Sequence, residues 1–515
     1  LFTAEKRLTP ARRGSAGRDF LTAISLSNLS LLREWNALLN YTAADAFFFE
    51  HRPSISQFAA IFLAVLLLGA FFFGLIRLSR QIRDRLERRF CIPFVLAAAL
   101  PPANAIRRVS HLSGLRLGEA PALPAILLAI AFLAGISVWI WLDPRSLRFG
   151  ASAALLFLPL IAVEFFLALQ HEFRNPNELA DPAFASLAPR RALPLPRIVW
   201  VVFDDLDYRL LFQDRPAGLP MPAFDRMRKQ SLFAADAFSP AIITQESIPS
   251  LLTGAHIRKF SSENEISRDD SVKVSEVARL PTVFTATREM GGNASVVGWY
   301  LPYSRLFGQD LAACSWRGLG FTVNLNNGGI LKTSLRLAQI PFELALRSPF
   351  GPSMFIRQHV EVLESLHAEM LHAAVDSRMD LVFLHFPTAH PPHVYDRFKH
   401  AFTRATEDPA GYPNSLALSD QWLADLRSAM EAANVWSTTN VLVTSDHHFR
   451  EDRGVDGKTD LRVPFLLKLA GQISPLTYTA PLHTIVTKSL LEAILRREVV
   501  SPDEAVHWLS AHSSN

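Results

Sequence analysis

Three stretches of this chain, Ile55–Ile76, Pro121–Leu142 and Ala151–Gln170, are apolar over bilayer length; a helix needs about 20 such residues to cross a hydrocarbon core. All three lie before residue 172. That segregation excludes one soluble core and predicts an N-terminal transmembrane module followed by a globular domain of about 320 residues. The hydrophobic content of 49% over 515 residues is concentrated accordingly. Two weaker spans are Phe20–Tyr41, which carries Arg33 and Glu34, and Cys91–Ile106, which is short and holds Pro101 and Pro102.

Basic residues orient the module. Lys6, Arg7, Arg12, Arg13 and Arg18 favour a cytoplasmic N-terminus, and Arg77, Arg80, Arg83, Arg85, Arg88 and Arg89 favour a cytoplasmic loop. Two basic flanks on one side require an even number of crossings between them, so Phe20–Tyr41 is expected to span with Ile55–Ile76. Three further spans then place the C-terminal domain outside. The expectation is about five helices, near 20–41, 55–76, 91–106, 121–142 and 151–170, in the inner (cytoplasmic) membrane, with the remaining domain periplasmic or extracellular. Arg107, Arg108 and Arg116 fall on the outer side in this arrangement. The net charge of +4 reflects these flanks and argues against nucleic-acid binding. Residues 1–19 are polar and basic, without the pattern of a cleavable signal peptide. Cys91 and Cys314 fall in different modules, so no disulfide within a domain is expected.

Residues 172–196 read as a Pro-containing linker, and 197–515 as the catalytic domain. There, short apolar runs at Ile198–Phe203, Ala294–Val297, Leu381–His385 and Val441–Thr444 alternate with amphipathic segments. This predicts an α/β domain with a central, mostly parallel sheet covered on both faces. Helices are expected over Met221–Gln230, Pro352–Ala374, Ser415–Ala433 and Thr484–Arg497.

Chemistry-bearing residues follow the strands. Asp204 and Asp205 end the first, where open α/β sheets place ligand-binding groups. Alternation along an extended strand favours Asp204 as a metal ligand and sends Asp205 the other way, while Asp207 is expected at the surface. Asp446 and His447 end the strand at 441–444. Carboxylates with one imidazole suit a hard or borderline divalent cation. Between them lies Thr244-Gln-Glu-Ser247-Ile-Pro249, where polarity interrupts an apolar stretch and Pro249 is expected to open a helix. A hydroxyl held beside a cation is a nucleophile. His385, His390 and His393, three histidines in nine residues interleaved with Pro after a strand, suggest one wall of a pocket; His448, Arg450 and Lys458 are candidates for meeting an anionic substrate. Trp299, Tyr300 and Tyr303 with Arg305 are either core packing or the acceptor side.

Ile198-Val-Trp-Val-Val-Phe-Asp-Asp205, the Thr244 segment and Val441-Leu-Val-Thr-Ser-Asp-His447 together resemble the alkaline phosphatase/sulfatase superfamily. The likeness covers roughly residues 195 to 470. Thr-x-x-Ser-Ile-Pro is similar to the nucleophile segment of the phosphoethanolamine transferases, and those enzymes and the lipoteichoic acid synthases also carry five helices before an external domain. The resemblance implies one divalent ion held by Asp204, Asp205, Thr244, Asp446 and His447, with Thr244 as nucleophile and His390 on the substrate side. The ion would be zinc, manganese or magnesium, or calcium in a sulfatase-like enzyme. Two departures stand out. Transferases of this type carry Glu where Asp204 stands, and Gly where His448 stands.

The activity implied is transfer of a phosphoethanolamine or phosphoglycerol head group from a phospholipid to an envelope lipid or glycan, through a phospho-Thr intermediate. The alternative is a membrane-anchored sulfatase-like hydrolase. Ser247-Ile-Pro249-Ser250 mimics part of a sulfatase motif, but the Leu-Leu-Thr-Gly254 tail sets the register to Thr244, which cannot be oxidised to formylglycine. A two-metal phosphodiesterase is disfavoured because Thr388 precedes His390 where an Asp-x-x-x-His pair would be needed. A non-enzymatic reading, a degenerate domain used for binding, holds only if Thr244, Asp446 and His447 fail to converge in space.

Overall fold

The computed structural model describes residues 16–39, 54–81, 154–173, 183–189, 193–258, 260–261, 272–318, 329–346, 354–406 and 409–512. Along the chain the helices used below are α1 (Ala16–Ser30), α2 (Leu32–Leu39), α3 (Ile55–Gln81), α4 (Leu158–Phe173), α5 (Tyr208–Phe212), α6 (Pro222–Arg228), α7 (Thr244–Thr253), α8 (Gly329–Leu346), α9 (Met354–Val375), α10 (Tyr412–Ala432) and α11 (Thr487–Leu495). The strands of the main sheet are β1 (Arg197–Phe203), β2 (Leu232–Ala234), β3 (Ala294–Trp299), β4 (Ala313–Arg317), β5 (Leu381–Phe386), β6 (Thr439–Ser445), β7 (Phe465–Lys468) and β8 (Leu476–Tyr478). The chain divides into two compact units.

The larger unit is built on this eight-stranded sheet, in the order β8-β2-β7-β6-β1-β5-β3-β4. Only β7 runs against the rest. β1 explains why: Ile-Val-Trp-Val-Val-Phe is apolar at every position, so both of its faces need cover. Ile198, Trp200 and Val202 enter one core, with Phe284, Phe383 and Leu442. Val199, Val201 and Phe203 enter the other, with Leu384, Phe386 and Trp422. A strand buried on both faces belongs in the middle of a parallel sheet. Its register pairs Phe203 with Ser445 on β6 and Val202 with His385 on β5. The C-terminal ends of three adjacent strands therefore deliver Asp204–Asp205, Asp446–His447 and His385 to one edge.

The smaller unit comprises α1 to α4 and α8 among the described residues. Its polarity is inverted. Ser25, Ser27, Asn28 and Glu164 are buried, whereas Leu66, Phe71, Leu156 and Phe166 are exposed. The buried groups join the helices: Ser27 Oγ donates to the Val65 carbonyl at 2.6 Å, Asn28 Nδ2 to Glu164 at 2.6 Å, and Trp35 Nε1 to Asn28 Oδ1 at 3.0 Å. One helical stretch among the described residues, Ile55–Leu78, is long and apolar enough to cross a bilayer; Leu158–Gln170 is apolar but shorter. The expected first span is two helices meeting at Leu31. The expected spans at 91–106 and 121–142 lie outside the described residues. α8 enters this unit from within the region expected to be wholly catalytic, because its Phe342 packs on Phe71 and Phe72 of α3, at centroid distances of 5.8 and 6.3 Å.

One contact fixes a helix by a single carboxylate. α6 begins at Pro222 with no side-chain cap of its own. Asp420 of α10 supplies the cap from outside, accepting the Ala223 N–H at 3.0 Å and the Phe224 N–H at 3.0 Å. Asp420→Ala leaves these donors unmet and is expected to destabilise the protein by about 1–3 kcal/mol. Chemical denaturation of the detergent-solubilised chain checks this; an unchanged midpoint would show that the cap contributes nothing.

Candidate active site

The site is assembled where β1 stops. Asp204 continues the strand, but Asp205 adopts φ 61°, a left-handed conformation that Asp tolerates better than most residues. This turn overturns the expectation from alternation: it breaks the strand's two-residue period, and both carboxylates are buried in the same cluster. The turn is pinned from behind. Tyr412 Oη donates to the Asp205 carbonyl at 2.7 Å and accepts the Asp207 N–H at 2.9 Å. Asp207 is not at the surface as expected. It is buried and caps α5 through Leu210 N–H at 2.6 Å, with burial raising its pKa to about 7.

Thr244 is the first residue of α7, preceded by Ile243 in an extended conformation. The helix thus begins five residues before Pro249, which sits inside it and forfeits one backbone hydrogen bond. The helix ends at Gly254 with φ 68°, so the Thr-Gly ending of the motif is a left-handed C-cap. Thr244 Oγ1 lies 3.4 Å from both Asp204 oxygens and 3.3 Å from His447 Nε2. Ser247, one turn on, is fully buried and donates to the Asp446 carbonyl at 2.5 Å. Of the two hydroxyls, Thr244 faces the acids and Ser247 is a brace.

The imidazoles present defined edges. His447 Nδ1 faces two acceptors, the His448 carbonyl at 2.9 Å and Asp205 Oδ1 at 3.1 Å, so it carries hydrogen. Nε2 is left pointing at Asp446 Oδ2, 3.3 Å away, and Asp204 Oδ1, 3.6 Å away. His385 repeats the pattern: Nδ1 faces the Trp299 carbonyl at 3.1 Å and Tyr303 Oη at 2.8 Å, while Nε2 points at Asp204 Oδ2 at 3.8 Å. Asp446 turns Oδ1 to the backbone N–H groups of Asp205 (3.3 Å) and His447 (2.8 Å), leaving Oδ2 toward the cluster.

Three carboxylates and two ring nitrogens thus aim at one small volume away from water. Among the buried atoms without a hydrogen-bond partner are Asp446 Oδ2 and His385 Nε2. Burial and the neighbouring Asp446 push the Asp204 pKa well up. Burial opposes charge on His447, but Asp446 and the hydrogen bond to Asp205 outweigh it and raise its pKa to about 10. The acids therefore call for positive charge, and the donor set fits a divalent cation. Asp204, His385 and Asp446 form one group able to hold a metal, and Asp204, Asp205 and His390 another.

Around this centre the remaining candidates separate. His390 Nδ1 donates to the Pro391 carbonyl at 2.5 Å, its ring abuts Trp299 at 4.8 Å, and Nε2 lies 3.9 Å from Asp205 with 23% of the side chain exposed. Burial lowers its pKa, against the pull of Asp205. Arg450 reaches Asp205 at 3.5 Å. His448 contributes its carbonyl to His447, while its own ring is largely buried. His393 is buried against Tyr412 and Phe449 with Nδ1 on Ser415 at 2.9 Å. Lys458 is paired at the surface with Asp214 at 2.7 Å, because the Asp214–Arg209–Asp456 cluster offers its ammonium a nearer carboxylate. His385, expected only as part of a pocket wall, faces the acids directly, and Tyr303, expected as core packing or the acceptor side, is buried and orients it.

A family model described as Sulfatase matches residues 196–494. No curated protein matches the sequence. Solved structures similar to this chain include Ps i-CgsB in complex with k-i-k-neocarrahexaose, at 15% identity over 61% of this chain and 74% of that one, TM-score 0.43. The phosphonate monoester hydrolase of Agrobacterium radiobacter is 14% identical over 58% of this chain and 74% of that one, TM-score 0.39. The PsFucS1 sulfatase from Pseudoalteromonas sp. is 13% identical over 59% and 68%, TM-score 0.41.

His447→Ala is expected to lose bound metal and activity together, and removal of metal with a chelator to abolish activity until it is restored. Tyr303→Phe, which leaves His385 less well oriented, should weaken metal affinity by about 10–100-fold. Elemental analysis and metal titration of the purified chain check both; His393→Ala should leave metal content unchanged.

Proposed function

The chain belongs to the sulfatase family of the alkaline phosphatase/sulfatase superfamily and is an enzyme, and we propose that it is a membrane-bound transferase. It moves a phospho-alcohol head group, phosphoethanolamine or phosphoglycerol, from a phospholipid to an envelope lipid or glycan. The observation that carries this reading is the pair of hydroxyls on α7: Thr244 is within 3.4 Å of Asp204 and His447, while Ser247 is spent on the Asp446 carbonyl. A threonine cannot supply the formylglycine hydrate on which sulfate-ester hydrolysis of the usual kind depends, but it can carry a phosphoryl group. The inverted polarity of the helical unit supports a lipid-embedded enzyme, and with it a lipid donor.

In the first half-reaction Thr244 Oγ attacks phosphorus, the bond to diacylglycerol oxygen breaks, and the hydroxyl proton passes toward Asp204. Asp204, Asp205, Asp446 and His447 would hold a divalent ion, which when bound would lower the hydroxyl pKa and offset charge on the phosphoryl oxygens. His390 has Nδ1 committed to Pro391, so in the protonated imidazolium, which Asp205 favours against burial, Nε2 is the atom that gives a proton to the departing oxygen. In the second half-reaction the acceptor hydroxyl attacks phosphorus, the bond to Thr244 Oγ breaks, Oγ takes its proton back from Asp204, and the acceptor's proton passes to His390 Nε2. The enzyme sits in the inner membrane as a multi-pass protein with its catalytic domain outside. The second reading, a membrane-anchored hydrolase of sulfuric or phosphoric esters, draws on the Asp204–Asp205 pair, since both carboxylates enter the cluster.

Incubating the solubilised chain with phospholipid and no acceptor is expected to leave a phosphoryl head group on the peptide containing Thr244, read by mass spectrometry. Thr244→Ala should show neither adduct nor turnover, and Ser247→Ala should keep part of the activity. An adduct on Ser247 with Thr244 dispensable, or release of sulfate from aryl sulfate esters in preference to any lipid turnover, would replace the transferase by the hydrolase.

A further inference from the structure

α8 has the wrong polarity for water. Thr333 and Ser334 are buried at 4% and 0% exposure, with Leu337 and Ile340 on the same side, while Leu331 and Leu335 stand out at 61% and 47%. Residues 331 and 335 are one turn apart and form a single stripe. A helix on a soluble enzyme would put Thr and Ser outward and Leu inward. Here Thr333 and Ser334 are buried alongside Leu337 and Ile340 while Leu331 and Leu335 face away, an arrangement found in helices packed within lipid. Ser334 needs no partner outside its helix, since its hydroxyl donates to the Ile330 carbonyl at 2.6 Å.

The partner is α3, which contains the bilayer-length apolar stretch Ile55–Leu78. Phe342 touches Phe71 and Phe72. Both lie inside that stretch, and Phe72 is about 9 Å short of Leu78 at the rise of an α-helix. Whichever way α3 crosses, this contact is below the membrane surface. We propose that α8 is a membrane-embedded helix, with Leu331 and Leu335 against lipid acyl chains. Lys332 and Arg336 flank the stripe on stems long enough to carry their charges toward the headgroups. The described segments on either side, up to 318 and from 354, belong to the catalytic unit, so the catalytic half of the sequence carries its own membrane element.

The inference rests on the proposed membrane location of α3, and the test separates the two. In the full chain with Cys91→Ser and Cys314→Ser, nitroxide labels are placed singly at Leu331→Cys, Leu335→Cys, Leu66→Cys on α3 and Ile473→Cys on the catalytic unit. The protein is reconstituted in nanodiscs of phosphatidylethanolamine and phosphatidylglycerol. Power-saturation EPR then compares collisions with oxygen, which concentrates in lipid, and with a water-soluble nickel chelate. Labels 331 and 335 are expected to follow 66, favouring oxygen at least several-fold more than 473 does. Labels 331 and 335 that favour nickel, or meet neither reagent, while 66 favours oxygen would overturn the α8 proposal alone. A label at 66 that favours nickel would overturn the membrane location on which both readings rest.

Discussion

Three carboxylates that share a water-poor volume repel one another, and the catalytic unit is arranged around holding them there. Asp204, Asp205 and Asp446 are all buried, and the groups facing them are the edges of His447, His385 and His390 and the guanidinium of Arg450. Leaving such charges without compensation costs several kcal/mol each. Positive charge must therefore occupy the centre, as a proton on His447 or as a cation. The fixed Nδ1–H donors of both buried histidines keep their Nε2 edges turned inward for that purpose.

That geometry depends on backbone rather than on side chains alone. Parallel pairing of β1 with β6 and β5 sets the three strand ends side by side. The left-handed turn at Asp205 then returns a carboxylate that a continued strand would have sent away, and Tyr412 holds the turn through two hydrogen bonds. Ser247 ties the nucleophile's helix to Asp446 by the same device, a buried hydroxyl on a backbone carbonyl. Thr244, with one hydroxyl and a χ1 restricted by its methyl, is thereby positioned from two elements at once.

The two units obey opposite rules of burial. In the catalytic unit the central strands bury aliphatic and aromatic residues on both faces. In the helical unit serines, an asparagine and a glutamate lie inside along with apolar residues, while several leucines and phenylalanines are exposed. α8 follows the second rule although it is encoded among elements that follow the first.

Much of this was written in the sequence because it depends on local pattern. Apolar runs at 198–203, 381–385 and 441–444 determined the parallel sheet, and Asp204, Thr244, Asp446 and His447 stood at positions that strand ends and a helix start make available. What depended on distant partners was not legible. Whether Asp205 turned inward was decided by Tyr412, some two hundred residues on. The fates of His393 and Lys458 were decided by Ser415 and Asp214, which sit where only the folded chain brings them. His385 acquired its role from Tyr303 and the register of β5 against β1. Period and composition report which face a residue shows; only tertiary structure supplies what it shows that face to, because hydrogen bonds and charge repulsion act over ångströms and are blind to separation along the chain.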